Sequence, residues 1–254
     1  MMTLCIDHTH VYSLEYTICT LVNDMQSYVD LVKSFNRNGF DDTNSTFMYV
    51  DNSHGNKFEA YEAIRHFLFK SNSKYIIICH QDIELIDNKS CLDQQLNLLE
   101  SYDSLWAIAG NAGGKGVNAV VKYVTNSAGK EKRDIIDPTR VYSLDENFLI
   151  IKKAAQLSIS KNLSGFHFYG TDLCLIADIL GYRAYVIPFM VRHYGCGNWD
   201  RSFYLQQKNL VRKYEKAFSG RFIESTCSKF YISGSFFKNK LFNKFVRFIT
   251  YRIR

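Results

Sequence analysis

Hydrophobic residues in this chain follow two rhythms. Residues 15–22, 46–50 and 75–79 are short runs dominated by apolar side chains, without the strict alternation of a half-exposed strand. Runs of that kind suit strands covered on both faces, as in a parallel sheet between helix layers. Between the first two, Met25, Tyr28, Val29, Leu31, Val32 and Phe35 recur at helical spacing, and residues 58–69 repeat the pattern. Gly39 suits the end of the first helix. Strand, helix, strand, helix, strand in this order predicts a right-handed parallel α/β unit. It lines up Asn23-Asp24, Asp51-Asn52-Ser53 and His80-Gln81-Asp82 along the carboxyl edge of one sheet, where open α/β sheets bind ligands.

Further along, 91–99 reads as a helix capped by Ser90, and 105–109 as a fourth strand leading into the glycine-rich run 110–116. That run lacks the spacing of a phosphate-binding loop and is expected to be a turn or flap. Residues 126–137 are charged and read as irregular; 141–144 and 147–151 read as two antiparallel strands. A helix over 173–180 is expected to be capped by Thr171 and stopped by Gly181, with Asp172 in its first turn, where the helix dipole favours a carboxylate. A strand over 183–188, His193 shortly after it and a charged helix over 200–218 complete the main body.

Composition narrows the class. The 254 residues are 46% hydrophobic, enough for a sizeable core, and hold 17 Tyr and 19 Phe but two Pro. The seven Cys form no CxxC pair and no regular spacing, which argues against a disulfide framework or a zinc site and for a reducing cytoplasm. No stretch is apolar enough to span a bilayer, and the first ten residues do not resemble a secretory signal. The formal charge of +6 is unevenly spread, since no acidic residue follows Glu224. The expected organisation is a main domain over 1–220 and a basic amphipathic tail over 221–254. In the tail, Phe237, Leu241, Phe245, Phe248 and Ile249 can share one helix face, flanked by Lys238, Lys240, Lys244 and Arg247. Such a helix suits an anionic membrane surface, or packing on the main domain or on a second copy.

Taken in order, VDNS after the second strand, HQDIEL after the third, FHFYGTDLCL, and His193 followed by Gly195 resemble an inverting glycosyltransferase of the GT-A fold, in the broad family 2 group. The resemblance covers roughly residues 16–197 and is strongest to bacterial proteins of capsule and surface polysaccharide synthesis. It implies a Rossmann-like, mostly parallel sheet flanked by helices. It also implies transfer of a sugar from a nucleotide donor, UDP-linked, to a hydroxyl of a glycan or lipid-linked acceptor.

By the same resemblance, Asp82 binds Mn²⁺ or Mg²⁺ as the last residue of the family's DxD motif, with His80 in place of the first Asp. Glu84 and His193 are further metal ligands. The donor lies against Asn23, Asp51, Asn52, His80 and Gln81, with Asp51 at the nucleobase, and Asp172 is the catalytic base. The cysteine usage implies a cytoplasmic protein, the basic tail a peripheral position at the inner face of the cell membrane, and the lack of a recognised nucleic-acid motif no nucleic-acid partner. Two alternatives stay open on sequence grounds: a different metal-dependent phosphotransfer enzyme or hydrolase, and a non-catalytic binding or scaffold protein of the same fold.

Overall fold

A computed structural model describes residues 11–195 and 200–252, with side chains through 248. The N-terminal decapeptide read as no signal, Gly197 and the side chain of Ile249 lie outside the described residues. The chain divides into two compact units, Met1–Gln206 and Gln207–Arg254.

The first unit is built on the predicted alternation: β1 (Leu14–Val22), α1 (Met25–Arg37), β2 (Ser45–Asp51), α2 (Ala60–Lys70), β3 (Ser73–His80). Then come β4 (Ile83–Leu85), α3 (Lys89–Tyr102), β5 (Trp106–Gly110), β6 (Ala112–Gly116), β7 (Ala119–Asn126) and β8 (Glu131–Arg133). The unit continues with β9 (Thr139–Val141), β10 (Ser143–Leu144), β11 (Phe148–Lys152), α4 (Tyr169–Ile179), β12 (Arg183–Val186) and β13 (Val191–His193). α5 (Arg201–Phe218) runs into the second unit, which holds β14 (Arg221–Glu224), β15 (Lys229–Ile232) and α6 (Phe236–Arg252).

Seven strands form the central sheet in the order β2-β1-β3-β11-β5-β12-β9. β1 pairs in parallel with β2 and β3, and β12 in parallel with β5, while β11 and β9 run against their neighbours. The core explains the all-apolar runs: Tyr16, Ile18, Ile77, Trp106, Phe148, Ile150 and Phe189 pack together at 5% exposure or less. A second sheet, β10-β6-β7-β13-β4, carries β13 beside β4. This mixed α/β architecture with helices around a mostly parallel sheet is the GT-A type. No described helix is long and apolar enough to cross a membrane.

Four local expectations are corrected. The glycine-rich run is no flap: β6 pairs with β7 and β10. A Cβ on Gly113 would stand 2.5 Å from the Ser143 carbonyl oxygen, so the glycine allows a close backbone approach. The α3 cap is Asn88, whose side chain accepts the Cys91 N–H, two residues before the expected Ser90. α4 begins two residues before Thr171, after Phe168 in the left-handed region (φ 66°) with no side-chain cap of its own. The 126–137 stretch, expected to be irregular, contributes the short strand β8.

Candidate functional site

Parallel β1, β2 and β3 end together, and the polar residues that follow each strand gather there. At the end of β1, Asp24 caps α1 by accepting the Gln26 and Ser27 N–H groups. Gln81 reaches across from the end of β3: its Oε1 accepts from Asn23 N at 2.9 Å and Asp24 N at 3.1 Å, and its Nε2 donates to the Asn23 side chain. In this structure Gln81 therefore braces the β1–α1 turn. At the end of β2, Asp51 Oδ1 accepts from Ser53 N and Oγ, and Lys57 Nζ lies 3.8 Å from its other oxygen. Asn52 is buried, and its amide binds Lys57 N, Phe58 N and Phe58 O, so it shapes the following loop.

Beside these residues the structure brings together His80, Asp82 and His193. β13 pairs antiparallel to β4, with His193 opposite Ile83, and this register delivers a residue 113 positions later to the end of β3. His80 Nδ1 is 3.3 Å from His193 Nε2 and 4.0 Å from Asp82 Oδ1; His193 Nε2 is 3.5 Å from Asp82 Oδ1. Two ligands bound cis at ~2.1 Å to one ion lie about 3 Å apart; the two His193 separations, 3.3 and 3.5 Å, approach that spacing and the 4.0 Å from His80 to Asp82 exceeds it, so the three donor atoms could together hold one ion. One carboxylate and two imidazoles suit Mn²⁺ better than Mg²⁺. The backbone leaves room for them: a Cβ on Gly195 would stand 2.5 Å from Asp82 Oδ2 and 2.9 Å from His193 Nε2.

Electrostatics separate the two histidines. Burial, followed by the adjacent His193 charge, holds the His80 pKa below the usual imidazole value. Burial also works against a charged His193, but the Asp82 hydrogen bond and charge outweigh it and hold that pKa above the usual value. Asp82, in turn, is desolvated, yet its contacts with His193 and His80 keep its carboxyl below the usual range. A neutral His80 would have a lone pair for a ligand, and a cation held here would replace the proton shared between Asp82 and His193.

Glu84, expected as a ligand, is committed elsewhere. Its Oε2 accepts from Arg192 Nη1 at 2.8 Å and from Tyr194 OH at 2.7 Å, and it stands outside the trio because the β4–β13 register sets His193 opposite Ile83 and Glu84 opposite Arg192, on the other face of the ribbon. His80, expected to lie against the donor in place of a motif aspartate, stands in the trio.

Asp172 lies in the first turn of α4, as expected, but is fully buried. Its two carboxylate oxygens accept from Ser160 N at 2.9 Å and Ser160 Oγ at 2.7 Å. As it stands, this carboxylate fastens the loop before α4 and does not meet solvent, where an acceptor would arrive.

The sequence expectations include neither Asp145, which stands near the histidines, nor its neighbour Glu146. Asp145 and Glu146 lead into β11, where Asn147 O accepts from His80 N at 3.1 Å. Asp145 acts electrostatically on both His80 and His193. Half-buried Glu146 accepts from Gly170 N at 3.4 Å and from Phe168 N, the cap that α4 lacks from its own first residues. Burial first, and then the Asp145 charge, push its carboxyl up to about 8. The signal available in the sequence was an Asp-Glu pair opening an apolar strand.

A cleft of about 300 Å³ lined by Asp30, Gln81, Asp82, Glu84 and Tyr194 opens beside the trio. A larger hollow of about 1270 Å³, between α2 and residues 151–158, includes none of these edge residues, so size alone does not mark the site.

No family model matches the chain. Among solved structures, the chain resembles GalNAc-T7 with UDP, GalNAc and Mn²⁺ at TM-score 0.55 and 11% identity, over 80% of this chain and 48% of that one. It also resembles residues 1–349 of S. aureus TarS in complex with UDP-GlcNAc, at TM-score 0.51 and 12% identity, over 80% of this chain and 67% of that one. At such identities the likeness is one of fold, and it agrees with the GT-A architecture. A far closer sequence is the "ATP synthase subunits region ORF 6" protein of Fuscovulum blasticum, 34% identical over 233 residues, which span 89% of this chain and 94% of that protein. That identity over nearly the whole of both chains shows that this chain belongs to the family of the Fuscovulum blasticum protein.

Proposed function

We propose that the chain is a metal-dependent, inverting glycosyltransferase of the family 2 group. It moves a sugar from a UDP-sugar to a hydroxyl of a glycan or lipid-linked acceptor in bacterial surface polysaccharide synthesis. The observation that carries this reading is the His80, Asp82 and His193 trio at the carboxyl edge of the parallel strands, in one row with Asn23 and Asp51. Of the two similar solved structures, one is with UDP, GalNAc and Mn²⁺ and the other in complex with UDP-GlcNAc, which supports a donor and a cation of the same class. The free thiols of Cys19, Cys79, Cys91, Cys174 and Cys227 are compatible with a reducing cytoplasm.

Sugar transfer breaks the bond from the anomeric carbon to the diphosphate and forms one to the acceptor oxygen. The bond electrons leave with the diphosphate, and the acceptor's proton must go to a base. A divalent cation held by His80, Asp82 and His193 would offset the charge developing on the diphosphate, worth several kcal/mol in the transition state. Asp51 offers its outer oxygen to the nucleobase, while Gln81 keeps the Asn23–Asp24 turn in register with Asp82. Glu84 keeps Arg192 and Tyr194 ordered at the rim.

We assign the proton acceptor to Glu146, since Asp172 would first have to leave a fully buried position. Glu146 adjoins Asp145, which acts on both histidines, and it meets the first turn of α4 at Gly170; burial raises its carboxyl to about 8, within the range in which general bases work. One base and a single displacement give inversion.

A thermal-shift titration with UDP-sugars, with and without Mn²⁺, tests the donor site. Wild type is expected to gain stability from nucleotide only with metal present, and Asp82→Ala to lose that gain. Equal gains in both proteins would end the metal assignment. Transfer assays on Glu146→Gln and Asp172→Asn then identify the base, by which variant keeps metal-dependent donor binding yet loses turnover by ~10²-fold or more.

A further inference from the structure

The second unit differs from the first in charge and in what it exposes. Residues 207–254 carry twelve Lys and Arg against two Glu, while residues 1–206 carry nineteen against twenty-three Asp and Glu. The whole basic excess of the protein, and more, therefore sits in 48 residues.

Their fold sorts polar and apolar groups. One face of α6 is anchored on the β14–β15 hairpin. Asn243 Nδ2 donates to Tyr231 O and its Oδ1 accepts from Tyr231 N, both at 2.8 Å, and Asn239 Nδ2 donates to Ser233 O. Phe242 completes a ring cluster with Tyr231 at 4.7 Å and Phe222 at 5.7 Å. With that face committed, α6 turns a second stripe outward. Phe237, Leu241, Phe245 and Phe248, spaced four, four and three residues apart, are 81%, 65%, 57% and 54% exposed. The stripe is about 17 Å long at 1.5 Å per residue. Lys238, Lys240, Lys244 and Arg247 flank it and are all exposed. The hairpin adds exposed Phe222, Phe230 and Ile232.

A straight line of bulky apolar groups bordered by cations matches a plane with an apolar interior and an anionic surface. We propose that the second unit binds an anionic lipid bilayer, with α6 lying in the headgroup layer and its Phe237/Leu241/Phe245/Phe248 stripe turned into the acyl boundary. Charge complementarity selects this occupant: a second copy of the unit would bring twelve more cations against the first, and a neutral apolar partner would leave the lysines without a counterpart. A single-stranded RNA would satisfy the cations, but Leu241, in the middle of the stripe, offers no ring for a base to stack on. Helices of this design take their affinity from buried apolar area together with attraction to anionic lipids. The proposal is independent of the transferase reading and uses none of its residues.

The test is co-sedimentation of the full chain with vesicles of phosphatidylcholine alone or with 30% phosphatidylglycerol, a composition of about this anionic content being chosen to give a clear surface potential. Binding is expected to the anionic vesicles only and to weaken as salt rises. Replacing Lys238, Lys240, Lys244 and Arg247 together with Gln should lower partitioning by about 100-fold or more. Phe237→Ser with Leu241→Ser, both at highly exposed positions, should lower it about tenfold or more with the melting temperature and far-UV spectrum unchanged. Equal binding to neutral vesicles, no vesicle binding, or tight salt-sensitive binding of a homopolymeric RNA with no vesicle binding would each overturn the proposal. So would a stable dimer that the Phe237→Ser/Leu241→Ser pair dissolves, with no vesicle binding by the wild type.

Discussion

The candidate site and the C-terminal unit use charge in opposite ways. At the edge of the central sheet, ionisable groups are few, partly desolvated and mutually satisfied: Asp82 and His193 hold each other, Glu84 holds Arg192, and Asp172 holds Ser160. In the second unit the charges are many, exposed and of one sign, and one ion pair forms among the described residues there, Lys229 to Glu224 at 2.7 Å. The difference teaches that a single charge matters in proportion to its burial. A buried carboxylate fixes structure or chemistry one residue at a time, whereas exposed lysines act only as a group.

Four substitutions can break or sharpen that contrast. Asp172→Ala should have the largest effect on stability, about 3 kcal/mol, because the Ser160 N–H and hydroxyl lose buried acceptors; a denaturant midpoint within error of wild type would show that the loop before α4 is held by something else. Gly195→Ala should leave the melting temperature nearly unchanged but weaken Mn²⁺ binding by about 10- to 100-fold, read by calorimetry, since the new methyl would press on Asp82 and His193.

Glu146→Gln should act through pH. The folded state holds this carboxyl's proton up to about pH 8, while the unfolded chain releases it near the ordinary 4.5, so protonation favours the folded state at low pH. That advantage drains away as pH rises from about 4.5 to about 8. The Gln variant should therefore gain on the wild type across this window in thermal melts, and a constant difference from pH 5 to 8 would contradict the raised pKa. The smallest effect is expected from Leu241→Ser in α6, within about 0.5 kcal/mol in urea denaturation. A larger loss would mean that the stripe packs against protein.

Much of the fold was legible because its determinants are local. The apolar runs of β1, β2 and β3 and the stripe of α1 each declare themselves within a dozen residues, and their alternation fixes the edge on which Asn23, Asp51 and Asp82 fall. What could not be read depends on partners distant in sequence. Gly113 and Gly114 look like a loop until Ser143 is seen against them. The hairpin β14–β15 depends on pairing Phe222 with Tyr231 and Ile223 with Phe230, which no local pattern in the basic tail declares.

The site divides the same way. Asp82 and His193 meet, but sequence spacing could not show that the β4–β13 register commits Glu84 to Arg192, that His80 joins them, or that Asp172 is sealed under Ser160. Asp145 is not legible as a site residue because only the antiparallel insertion of β11 beside β3 carries it to His80.

The Gln81 amide, fastened across two strand ends to Asn23 and Asp24, has a mechanical result. The first strand's exit turn cannot drift without tugging on the residue beside Asp82, so the two ends of an elongated donor would rest on one rigid ledge. A ligand that grips either end of that ledge should find the other already in position.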